Sequence, residues 1–131
     1  MEFSRKILIA ADQIDERVLY ARTIMRKYPQ SVVTECDLES VQRWGPGQCH
    51  FDAAVIHFNG TPEAHAAVAA VRRWSRRVPI VALSGVNRGT EAIAAGVDRF
   101  ILADQWLLLA PVLADWFEQA QRRALARAPS A

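Results

Sequence analysis

The apolar positions of this chain fall into five short runs separated by stretches of helical spacing. Ile7-Leu8-Ile9-Ala10-Ala11, ending in Asp12, is continuous rather than alternating, which suits a strand covered on both faces, as in a parallel sheet. Ser31 to Cys36 is β-branched and alternating and predicts a second strand. Ala53-Ala54-Val55-Ile56 ending at His57, Pro79-Ile80-Val81-Ala82-Leu83 ending at Ser84, and Phe100-Ile101-Leu102 predict three more.

The intervening segments read as helices. Ile14, Val18, Ala21 and Met25 are spaced to line one face of a helix that Tyr28-Pro29 ends. Asp37 can cap a short helix from Leu38 to Trp44, broken by Gly45-Pro46-Gly47. Thr61-Pro62-Glu63 combines a capping hydroxyl, proline at the first helical position and an acid in the first turn. Ala64, Val68, Val71 and either Trp74 or Ser75 form that helix's inner face, and Arg72, Arg73, Arg76 and Arg77 crowd its end, where cations suit the helix dipole. A short helix from about Thr90 to Ala95 stops at Gly96. The last helix lies within Asp104 to Ala126, with Leu109, Val112, Leu113, Trp116 and Phe117 on its apolar side, and Pro111 restricts where it starts. Five strands alternating with five helices predict an α/β fold with a doubly wound five-stranded parallel sheet. Residues 5–127 form one domain, and 128–131 are a tail expected to fray.

Composition narrows the class. The 131 residues fit one domain, and at 51% apolar the chain can bury a core without staples. Cys36 and Cys49 match no zinc or redox spacing and read as thiols in a reducing cytosol. Met1 to Lys6 runs straight into the first apolar stretch with nothing resembling a cleavage site, so a cytoplasmic protein without a signal peptide is expected. A net charge of +2 gives no argument for nucleic acid on its own.

In such sheets function gathers at the carboxyl ends of the strands, which here carry Asp12, His57, Ser84 and Ala103. With Gly96-Val97-Asp98-Arg99-Phe100 before and within the fifth strand, these positions resemble the response-regulator receiver family, over almost the whole chain. The resemblance implies a flavodoxin-like (βα)5 fold and a role in bacterial two-component, phosphorelay signalling. It also implies a phosphorylation site, and the residues depart from that pattern. Where the family has two adjacent acids for Mg²⁺, the chain has Ala11-Asp12. Asp52-Ala53-Ala54-Val55-Ile56-His57 keeps the frame of the third strand but places histidine at the phosphate-accepting position. Ser84 matches the family's hydroxyl and Phe100 its switch aromatic, while Ala103 replaces its lysine. The stretch from Ser84 to Gly96 is shorter than the family's by roughly three residues, about one helical turn, so the fourth helix is expected to be stunted or displaced.

These substitutions agree with one another. Aspartyl phosphorylation needs a carboxylate nucleophile and Mg²⁺, and Mg²⁺ prefers carboxylate, carbonyl and water ligands over imidazole. The expectation is a pseudo-receiver with no catalytic residue, no cofactor and no metal, Asp12 being the residual candidate ligand, and with no cation left in the pocket to hold a phosphate. His57 is expected to pair with Asp12 across the strand ends. His57-Phe58-Asn59-Gly60 contains the His-x-x-Gly part of a cobalamin-binding motif, but Val55 stands where that motif needs aspartate. His50 and His65 read as ordinary surface residues.

The function expected is a phosphorylation-independent protein-interaction module, not an enzyme, whose partner is a histidine kinase, another regulator or an output protein. Homodimerisation is a further expectation, and membrane association and nucleic acid are not expected. Trp106, Leu107, Leu108 and Trp116 are more apolar than a solvated terminal helix needs and form the candidate partner surface. With the last helix read as the end of the chain, no output domain is expected. The alternatives are phosphotransfer through His57, a small-ligand sensor using the vacated pocket near Asp12, His57, Ser84 and Ala103, and nucleic-acid binding through the arginine clusters.

Overall fold

A computed structural model describes residues 4–44 and 50–127. The predicted break at Gly45-Pro46-Gly47, the thiol of Cys49 and the 128–131 tail lie outside the described residues. The five strands are β1 (Lys6–Ala10), β2 (Val32–Cys36), β3 (Ala53–His57), β4 (Ile80–Ser84) and β5 (Arg99–Leu102). The five helices are α1 (Ile14–Lys27), α2 (Leu38–Arg43), α3 (Pro62–Trp74), α4 (Gly89–Ala95) and α5 (Leu109–Arg127). The strands are all parallel in the order β2-β1-β3-β4-β5, so the direction of winding reverses between β1 and β3.

Strict alternation within the central strands supplies two cores. Leu8, Ala10, Ala54, Ile56 and Ala82 pack towards α2, α3 and α4, while Ile7, Ile9, Val55, Val81 and Leu83 pack towards α1 and α5. The apolar runs of β1, β3 and β4 are continuous for this reason: both parities are needed inside. Among the described residues no helix is long and apolar enough to cross a membrane.

The predicted inner face of α1 is corrected. Tyr20, Ala21 and Ile24 are buried, whereas Ile14 is 67% and Met25 43% exposed, with Val18 also exposed. Apolar residues lie on two neighbouring stripes of this helix, and spacing alone cannot choose between them. The larger pair, Tyr20 and Ile24, wins the core, and at the helix end Tyr28 meets Phe117 of α5 edge-on at 5.4 Å. The α5 side Leu109, Val112, Leu113 and Phe117 is buried as predicted. A 3₁₀ turn over Ala103–Leu108 precedes that helix, which leaves Pro111 in its first turn.

Carboxylates at the amino edge of the sheet hold neighbouring strands in register. The Lys6 N–H donates to Asp52 Oδ2 at 2.8 Å, and the Ile80 N–H to Asp98 Oδ2 at 2.7 Å. Asp98 is also bridged by Arg72 Nη2 at 2.8 Å. Arg72 donates further to the carbonyls of Gly96 (3.0 Å) and Val78 (2.7 Å), tying the end of α3 to the entry of β4 and the left-handed cap of α4 at Gly96, φ 114°. Of the four arginines read as one solvated helix end, Arg72 is therefore a structural clasp, and Arg73, Arg76 and Arg77 are exposed.

Two outcomes follow for stability and reactivity. Replacing Arg72 by Ala should lower the urea-unfolding free energy by about 2–3 kcal/mol, since it strands a carboxylate and two carbonyls, while Arg73→Ala should stay within about 0.5 kcal/mol. Burial, reinforced by Asp37 and opposed by Arg17, pushes the Cys36 thiol up to about 12. Its thiolate should then be scarce in the folded protein at pH 8, and peptide mapping after brief iodoacetamide treatment should find Cys36 alkylated only when denaturant is present.

Candidate functional site

The strand register brings the predicted residues to one edge. Ala10 sits opposite Ile56 and His57 opposite Leu83, so Ala11 and His57 come to one level at the carboxyl ends of β1 and β3, with Ser84 one step further along β4. Ladder bonds continue past the strands: the Ala11 N–H donates to Cys36 O at 3.0 Å and the Phe58 N–H to Leu83 O at 2.7 Å. Ala11 is fully buried, Ser84 is 3% exposed and Asp12 is exposed. The Ser84 hydroxyl accepts the Val86 N–H at 3.3 Å, which shapes the loop after β4.

His57 does not pair with Asp12. Its Nδ1 lies 3.0 Å from Glu16 Oε2, on the first turn of α1, with the two side chains 13% and 27% exposed. The approach is a close contact without hydrogen-bond alignment, and Glu16 Oε2 is buried with no hydrogen-bond partner among the described residues. Asp12 turns the other way, where its Oδ1 accepts the Leu38 N–H at 3.0 Å. With Asp37 Oδ1 accepting the Ser40 N–H at 2.8 Å, two carboxylates satisfy the free donors at the start of α2. The Ser40 hydroxyl and N–H hold the Asp37 carboxyl below the usual range. Glu16 also adds to the burial that raises the phenol of Tyr20 one turn on. Sequence spacing missed Glu16 because the contact depends on where α1 lands over β3.

A second cluster joins the loops that follow β3 and β4. His65 of α3 packs edge-on to Phe58 at 4.8 Å, and its Nε2 meets Glu91 Oε1 of α4 at 2.7 Å. This hydrogen bond, with Arg88 nearby, holds the Glu91 carboxyl below its ordinary range. Arg88 Nη1 stands 3.5 Å from Glu91 Oε2, and its guanidinium lies across Gly60, where a Cβ would come within 2.5 Å of it. Gly60 also has φ 78°, a left-handed backbone that calls for glycine, while the Arg88 side chain could shift to admit a Cβ. Two expectations are corrected: His65 is a tethered residue rather than an ordinary surface one, and a cation, Arg88, does stand beside this edge. His50 is exposed.

The remaining residues divide. Phe100 is half-buried against the α2–α4 core, beside Gly89. Trp106 and Trp116 are half-buried against the α1–α5 core, whereas Leu107 (66%) and Leu108 (49%) are exposed. Ala103 opens the 3₁₀ turn and brings no charge. A Mg²⁺ site of the receiver kind does not fit these residues. Ala11 offers no oxygen from its side chain, His57 supplies a nitrogen already against Glu16, and Asp12 spends an oxygen on α2. Among the described residues no cluster of three or more His, Cys, Asp or Glu side chains has metal-binding geometry.

No family model and no curated protein matches the chain. Solved structures do. A chain described as a pilus assembly protein, cpaE, from Burkholderia thailandensis has 18% identity and a TM-score of 0.73, over 87% of this chain and 98% of that one. A pilus assembly-related protein from Burkholderia pseudomallei has 19% identity and a TM-score of 0.66, over 99% and 97%. The receiver domain of the sensor histidine kinase PA1611 from Pseudomonas aeruginosa, with magnesium coordinated in its active-site cleft, has 20% identity and a TM-score of 0.71, over 87% and 98%. The chain has the receiver fold. At such identities the likeness carries the fold and not the chemistry, so what the receiver edge does here rests on its own side chains.

The pairing at that edge is directly testable. A double-mutant cycle of Glu16→Gln with His57→Asn should return a coupling of about 0.5–1 kcal/mol, whereas Asp12→Asn with His57→Asn should couple by less than about 0.3 kcal/mol.

Proposed function

We propose that this chain is a receiver-fold module that works by binding proteins in two-component signalling, without aspartyl phosphorylation and without catalysing a reaction. The observation that carries the reading is the His57–Glu16 contact. The position that would accept phosphate holds an imidazole lying 3.0 Å from a buried carboxylate oxygen, so incoming phosphate would meet negative charge rather than a metal. Asp12 is committed to α2, and Ala103 contributes no ammonium.

Protein binding has support in surface chemistry. Val86 after β4, Ile93 of α4, and Leu107 and Leu108 after β5 are exposed large apolar residues on the elements flanking the β5 edge. They suit a histidine kinase, another regulator, an output protein or a second copy as partner. Trp106 and Trp116, being half-buried, contribute mainly to the fold. A cytoplasmic location belongs to this same reading.

A second reading has its own support: two of the structural neighbours are described as pilus assembly proteins, and each is covered almost completely by this chain. The same module would then serve in an assembly machine, again by protein contact. Affinity capture from the native host separates the two, since signalling partners support the first and secretion or pilus components the second.

Incubation with acetyl phosphate and Mg²⁺, followed by intact mass measurement, should show no gain of about 80 Da, the mass of one phosphoryl group. A stable gain at His57 would replace this reading with a phosphotransfer role.

A further inference from the structure

The far edge of the sheet, where the strands begin, has chemistry of its own. Every helix runs antiparallel to the strands it follows, so the helix carboxyl ends collect there. Arg73, Arg76 and Arg77 come from α3 or the turn after it, and Arg122, Arg123 and Arg127 from the end of α5. Between these ends and the start of β1 lies an open groove of about 420 Å³, within the range of small-ligand sites. Arg5, Arg77 and Arg123 line it, together with the aromatic rings of Phe51 and Trp116.

The charges in this groove are not balanced internally. Among the described residues, none of the three arginines forms an ion pair. Arg5 instead lies over the Phe117 ring at 4.8 Å. The two carboxylates in the lining, Asp52 and Asp98, are already engaged: the first accepts the Lys6 N–H, and the second the Ile80 N–H and Arg72. All three arginines line the groove, and a guanidinium can hold two phosphate oxygens at once. Half-buried Trp116 lines the groove beside them with an indole, the kind of ring on which a nucleobase stacks.

We propose that this groove is a nucleotide site. The polyphosphate rests on Arg5, Arg77 and Arg123, and the base lies against Trp116. The site is on the opposite edge from His57, so it is independent of the signalling reading, and it gives the module a small-molecule input that needs no phosphorylation.

Isothermal titration of the full chain at low salt with ATP, tripolyphosphate and adenosine tests this. ATP should bind most tightly, tripolyphosphate roughly tenfold more weakly and adenosine more weakly still. Arg77→Gln with Arg123→Gln, both on exposed side chains, should weaken ATP by about tenfold for each guanidinium removed, with melting temperatures close to that of the parent. Trp116→Phe should weaken ATP and leave tripolyphosphate unchanged. Absence of ATP binding, or an unchanged affinity in the double arginine variant, would overturn the site. Equal affinities for ATP and tripolyphosphate would remove the base contact and with it the nucleotide assignment. Binding of a short DNA duplex without binding of ATP would mark a general polyanion surface and overturn the proposal.

Discussion

Burial of the central strands on both faces is the constraint from which the rest of this structure follows. β1, β3 and β4 place alternate side chains into two separate cores, so a slip of one residue would exchange the two sets and mismatch both. The register is therefore fixed, and with it the level at which Ala11, His57 and Ser84 emerge. Asp52 and Asp98 lock the same register from the other end by accepting backbone N–H groups of adjacent strands. The clasp through Arg72 extends this lock to α3 and α4, which explains how a helix as short as α4 is held in place.

A fixed strand level gives the molecule two unlike edges. At the carboxyl edge Asp12 closes the start of α2, His65 meets Glu91, and His57 contacts Glu16, whose Oε2 has no hydrogen-bond partner among the described residues. At the amino edge the helix ends bring several guanidinium groups together; Arg72 meets Asp98 and Arg122 meets Glu118, while Arg5, Arg77 and Arg123 form no ion pair among the described residues.

The alternation of strand and helix, the apolar faces of α3 and α5, the caps at Asp37, Thr61 and Gly96, and a short α4 were legible in the chain, because each depends on local pattern and backbone chemistry. So were the identities of Ala11, His57 and Ala103, which the chain places at strand ends. The inner stripe of α1 was not legible. Two apolar stripes compete there, and the choice between them depends on the fit of Tyr20 and Ile24 to the sheet and of Tyr28 to Phe117.

The sequence by itself determined the fold class, the strand ends and the identities of Ala11, His57 and Ala103 at those ends. Tertiary structure alone decided which groups meet. It gave His57 to Glu16 rather than to Asp12, drew Arg72 out of a row of similar arginines into a clasp, tethered His65 to Glu91, and set Arg5, Arg77 and Arg123 around one groove. The physical reason is common to all four. Each partner lies many residues or a whole element away, so the pairing depends on where helices land on the sheet, and no local spacing encodes that.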